Sequence, residues 1–179
     1  METTTETARP AAAPSHAPHA SCTEDVLLWH ALYQLEASYW REVDVNGGGN
    51  AHTYYVPDGV MVAGHNRFCG SGEIRRFYEW RQRQASMAVS GAMVTRHLIN
   101  NLHVVACGDR AAKVFGVISL YASARRAPAP QSKPPILMAD LFNECVKDDD
   151  DRWLYRSHTL QPVFLSHESP LSMAFHMAR

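Results

Sequence analysis

Two side chains in this sequence of 179 residues stand where a proton could change hands. The first is Glu36. At 100° per residue, Trp29, Tyr33, Glu36 and Trp40 form one stripe of a helix, about a quarter-turn from the apolar stripe Leu28, Leu32, Leu35 and Tyr39. A carboxyl set among aromatic rings that face a cavity loses hydration, which raises its pKa and suits it to general acid or base work. The other reading makes this stripe the edge of the core, with Glu36 reaching water or an arginine. The second side chain is His97, in Thr95-Arg96-His97-Leu98-Ile99-Asn100-Asn101. Period-two alternation puts Thr95, His97, Ile99, Asn101 and His103 on one face of a strand, spaced ~6 to 7 Å apart, which suits a pocket wall better than a dry core. Imidazole titrates nearest neutrality, so His97 can serve as a base; the plain alternative is a hydrogen-bonded packing histidine.

The remaining reactive residue types do not cluster along the chain. His52, His65, His158, His167 and His176 form no HxH or HExxH pattern, and Cys22, Cys69, Cys107 and Cys145 contain no CxxC pair, so no spacing asks for a metal. The cysteines read as free thiols of a reducing compartment. Ser71, in Gly70-Ser71-Gly72, lies outside a GxSxG elbow, and the same glycines fall short of a dinucleotide or P-loop fingerprint. No nucleotide cofactor is expected.

The elements that must carry Glu36 and His97 follow from the same patterns. A helix is expected from Thr23 to about Val43, with Thr23 as cap and Glu24 and Asp25 in its first turn, ended by the run Asn46-Gly-Gly-Gly-Asn50. Short strands are expected at His52 to Val56 and Val60 to Ala63, divided by a turn at Pro57-Asp58-Gly59. A second helix, capped by Ser71, runs to about Ala85. Four long strands follow, Met93 to Cys107, Ala111 to Ala124, Ile136 to Val146 and Arg152 to Leu165. Helices first and then an antiparallel meander make an α+β layout, a curved sheet folded over a helix. Residues 1–22, Thr/Ala/Pro-rich and without hydrophobic period, read as a disordered tail, 23–165 as one domain, and 166–179 as a C-terminal extension.

Composition narrows the partners. With 17 basic against 18 acidic side chains the chain has no broad positive field for nucleic acid, and no apolar run is long enough to span a bilayer. The start has no apolar segment of a secretory signal, so a soluble cytoplasmic protein is expected.

Several strings, in order, resemble the SnoaL-like branch of the NTF2-like superfamily, which includes polyketide cyclases, scytalone dehydratase, bile-acid dehydratases and the small subunits of ring-hydroxylating dioxygenases. They are Leu27 to Trp40, Tyr54 to Val60, Gly70 to Ile74, Thr95 to Asn101 and Arg152 to Arg156. The resemblance implies a cone-shaped α+β barrel whose curved antiparallel sheet wraps the first helix around a deep pocket, assembled as a dimer or trimer. It further implies a histidine at the place of His97 and an acid four residues before a tryptophan, the spacing of Glu36 and Trp40. The family's acid is usually Asp, and the second histidine of scytalone dehydratase has no counterpart in Val117 to Tyr121.

The expected function is that of a lyase or isomerase without metal or organic cofactor, of dehydratase, cyclase or isomerase type, acting on a hydrophobic oxygenated small molecule. His97 would be the base, with Glu36 orienting it or acting as acid. Trp29, Tyr33 and Trp40 would hold the ring system, Asn101 a substrate oxygen, and Tyr55 or Tyr121 would polarise a hydroxyl. The alternative is a non-catalytic subunit or ligand-binding scaffold of the same fold.

Overall fold

The computed structural model describes residues 23–87, 93–125, 127–128 and 134–166; the expected tail at 1–22, with Cys22, and all of the expected extension except Ser166 lie outside them. Helix α1 (Thr23–Asn46) buries Leu32, Leu35, Tyr39 and Val43, the continuation of the predicted apolar stripe. It runs three residues beyond the expected end and stops at Gly47 and Gly48, whose φ values of 66° and 81° are left-handed. Gly48 is required for a second reason: a Cβ there would lie well inside van der Waals contact with Tyr78 Cδ1.

After a 3₁₀ turn (Ala51–Tyr54) come β1 (Tyr55–Ala63), β2 (Asn66–Cys69) and α2 (Gly70–Ser86). Three local expectations are corrected here. His52 lies in the 3₁₀ turn rather than a strand. Pro57-Asp58-Gly59 lies within β1, as the irregularity between Tyr55 and Val60 in its pairing with β6, because proline lacks the N–H that a regular ladder needs. Ser71 is inside α2 and caps nothing; the Glu73 carboxylate instead accepts the Cys69 N–H at 2.7 Å, closing the helix entrance from within.

The long strands are β3 (Val94–Ala106), β4 (Ala111–Ser123), β5 (Leu137–Lys147) and β6 (Trp153–Leu165), and they form the expected antiparallel meander. The sheet is six-stranded in the order β2-β1-β6-β5-β4-β3, curved and unclosed, with β1 parallel to β6. Leu32, Tyr39, Ile74, Tyr78, Ile118, Leu141 and Tyr155 belong to one buried cluster between the two helices and the inner face of the sheet. Among the described residues Cys69, Cys107 and Cys145 are free thiols, and no helix is long and apolar enough to cross a membrane.

Strand β3 carries a bulge with consequences for the site. Its register with β4 shifts between Asn100 and His103, where Asn101 takes a φ of 54°. Beyond the bulge the alternation is inverted: Leu102 and Val104 pack on the core, while His103 lies against Phe115. Strict period-two counting therefore fails after Ile99.

Candidate active site

The carboxylate that meets His97 is Asp44. It projects from the last turns of α1, eight residues beyond Glu36, and its Oδ1 lies 2.7 Å from His97 Nδ1. Its Oδ2 accepts the His97 backbone N–H at 2.8 Å, and Oδ1 also accepts the Thr95 hydroxyl at 2.8 Å. Three donors on β3 thus fasten one carboxylate of the helix to the sheet, and the imidazole cannot turn without breaking the set. Trp40, one helical turn before Asp44, stacks on the imidazole with ring centroids 4.2 Å apart. Held this way, His97 keeps its proton on Nδ1 towards Asp44, and Nε2 is the ring nitrogen without a hydrogen bond among the described residues.

Burial pushes the His97 pKa below its ordinary value, outweighing the opposite pull of Asp44. For Asp44 burial raises the pKa, but the hydrogen bonds and charge of His97, with Thr95, outweigh it and hold the carboxyl below its usual range. A neutral imidazole beside an ionised carboxylate is the resting state of a general base: the carboxylate stabilises the imidazolium that forms when Nε2 takes a proton.

His97 and Trp40 form part of the wall of an open-mouthed hollow between α1, α2 and the sheet. About 40 Å³ of it can take the centres of water-sized molecules, room for a few waters, within about 520 Å³ of atom-free space counted out to open solvent. The rest of the wall is almost wholly apolar, with Phe77, Tyr78 and Arg81 from α2 and leucines and Ile118 from the sheet.

Glu36 does not face this hollow. It is fully buried one layer deeper, where the Trp40 indole N–H donates to Oε2 at 3.2 Å and the Asn143 amide donates to Oε1. Burial pushes its carboxyl up to about 7 against the pull of Tyr155, Trp40 and Asn143. Trp40 therefore stands between the two groups, stacking on one and bonding the other, and the expected direct meeting of Glu36 with His97 is corrected to Asp44 with His97. The helix was expected to end at Val43, one residue short of Asp44; the stripe Glu36, Trp40, Asp44 at four-residue spacing was the available signal.

The other expected contact residues divide sharply. Trp40 lines the hollow. Tyr55 is buried behind it, its hydroxyl 2.9 Å from that of Tyr39 and 2.9 Å from His158 Nδ1. Trp29 and Tyr33 stack on each other, 42% and 39% exposed, away from the hollow; the Trp29 indole N–H donates to the Leu102 carbonyl of β3 at 3.4 Å, in a separate groove between the start of α1 and the end of that strand. The bulge takes Asn101 off the inner face, and Tyr121 is outside because it alternates with Leu120, which lines the hollow. Residues that periodicity did not single out complete the interior: His158 on β6, fully buried with Nε2 unpartnered and its pKa held down at about 3 by burial, and Asn143 on β5.

No family model matches the sequence, and no curated protein does. Solved structures do match. ActVI-ORFA of Streptomyces coelicolor is 12% identical, with a TM-score of 0.64 over 76% of this chain and 98% of that one. The chain has the NTF2-like fold. A Novosphingobium aromaticivorans protein named as a candidate scytalone dehydratase is 18% identical, with a TM-score of 0.63 over 78% of this chain and 87% of its own. A Catenulispora acidiphila protein in complex with S-DNPA is 17% identical, with a TM-score of 0.62 over 76% and 94%. At these identities the likeness is one of fold, and the site has to be argued from this chain's own side chains.

Proposed function

We propose that this chain is an acid–base enzyme that needs no organic cofactor and acts on a hydrophobic oxygenated small molecule, as a dehydratase, cyclase or isomerase. One observation carries the reading: His97 Nδ1 lies 2.7 Å from Asp44 while the same imidazole lines an apolar hollow. Nε2 removes a proton next to a substrate carbonyl, and Asp44 stabilises the resulting imidazolium. In a dehydration the enolate electrons form the new C=C bond as the C–O bond breaks, and the imidazolium returns its proton to the departing hydroxyl, which leaves as water. Trp40 holds the imidazole plane and supplies one flat wall. Glu36 supports Trp40 from behind; it is a positioning residue, with His97 the catalytic one. The neighbours named for a scytalone dehydratase and for a small-molecule complex support this choice among the uses of the fold.

The small volume open to water-sized molecules favours a second reading, a binding or scaffold subunit without turnover. Incubation in D₂O with aryl β-hydroxy ketones, followed by mass spectrometry for α-deuteration and water loss, separates the two. The native chain is expected to exchange or dehydrate at least one of them, and His97→Ala to lower the rate by about 100-fold or more with unchanged circular dichroism. Full activity in that variant overturns the assignment of the base, and no reaction in the native chain favours the scaffold.

A further inference from the structure

Arg81 is the one permanently charged residue among those that line the hollow. It reaches the wall from α2, across from His97 on β3, with its guanidinium 5.5 Å from the centroid of the Tyr78 ring. None of the ion pairs among the described residues includes it. Asp44, the carboxylate fastened to His97, has its oxygens committed to Thr95 and His97. A half-buried guanidinium on an apolar wall loses part of its hydration, and its hydrogen bond to the Tyr78 side chain meets only one of its five N–H groups. The Tyr78 ring lies beside the guanidinium and its hydroxyl takes one N–H, which leaves the other edge N–H groups to bind an anion in plane.

We propose that the ligand of this hollow is an acid, whose carboxylate is received by the Arg81 guanidinium while its carbon skeleton lies along Trp40 towards His97 Nε2. The inference rests on reading the hollow as a ligand site, and it adds the class of molecule. A planar two-oxygen group matches the guanidinium fork, and the apolar remainder of the wall matches a hydrocarbon skeleton. The arrangement also orients the substrate: an anion fixed at α2 and a base fixed at β3 leave one end of the molecule to be bound and the other to react.

Matched pairs of acid and neutral ester test this without turnover. Phenylacetate and methyl phenylacetate, then 2-naphthylacetate and its methyl ester, are titrated against the full chain by calorimetry and by tryptophan fluorescence. The acids are expected to bind at least ~10-fold more tightly than the esters. Arg81→Gln should abolish that preference while leaving the ester affinity within about twofold, and Arg81→Lys, with the charge but not the fork, should retain only part of it. Native chain that binds acid and ester equally, a preference that survives Arg81→Gln, or no saturable binding of either acid at millimolar concentration would each overturn the proposal. His97→Ala should keep the acid preference. Absence of α-deuteration with the acid preference intact would remove the enzymatic reading above and leave this one standing.

Discussion

The bond between His97 and Asp44 sets how the rate should depend on pH. A neutral imidazole is the active form, and burial lowers the pKa at which it is lost, so the acid limb of the pH–rate profile should lie below 6.5, the ordinary histidine value. Asp44→Asn removes the charge that holds the proton on His97, which should move that limb further to acid and lower the plateau; an unmoved limb would show that His97 is not the group reported. Glu36 gives a prediction about stability. Its carboxyl is pushed up to about 7 by burial when folded, against an ordinary value of 4.5. Between those values the folded chain holds a proton that the unfolded chain has released, so stability should fall as pH rises through that window, by roughly 3 kcal/mol in all. His158 acts with the opposite sign: held at about 3, it makes the fold lose stability as pH falls from 6.5. In Glu36→Gln the loss of Tm between pH 5 and pH 8 should therefore shrink. An unchanged difference would mean that the carboxyl is ionised in the native state.

At the scale of elements, the site depends on where α1 ends. Asp44 reaches β3 only because the helix continues past Val43, and the chain then turns away through Gly47 and Gly48 under the Tyr78 ring. The Glu42 carboxylate fixes that turn, accepting the Asn50 N–H at 2.8 Å and the Asn46 amide at 2.6 Å. Gly48→Ala combines an unfavourable left-handed φ with a clash on Tyr78, a side chain of the hollow. It should destabilise the protein by about 2 to 4 kcal/mol in urea unfolding and lower activity more than the lost folded fraction explains. A neutral effect would show that the glycine turn does not position α1 against α2.

At the scale of the whole molecule, the sheet has two faces of different character. Both helices cover the inner one. The outer one exposes Leu98 at 49%, Phe115 at 36%, Tyr121 at 37% and Phe164 at 67%. We propose that this face joins copies of the chain in a homo-oligomer, since scattered apolar residues are ordinary on a monomer but a sheet face that none of the described residues covers is a ready interface. Sedimentation should give a dimer or trimer for the native chain and a monomer for Leu98→Glu with Phe164→Glu; a native monomer at micromolar concentration would remove the idea.

What could be read directly from residue order was whatever rests on local periodicity and turn chemistry. The apolar stripe of α1, its glycine stop, the four long strands, the α+β class and His97 as a polar residue of the inner face all follow from neighbours a few residues apart. The partner of His97 does not, because Glu36 and Asp44 share one stripe of the helix, and only the packing of α1 on β3 selects which of the two carboxyls faces the imidazole. Nor do the positions of Asn101 and His103, since one bulge inverts an alternation that is otherwise regular, nor the placement of Trp29 and Tyr33, which depends on where the start of α1 meets the end of β3. Periodicity determines which face a side chain is on; what that face meets is decided by contacts between residues about 50 or more apart in sequence, as Asp44 and His97 are, and those exist only once the sheet has closed over the helix.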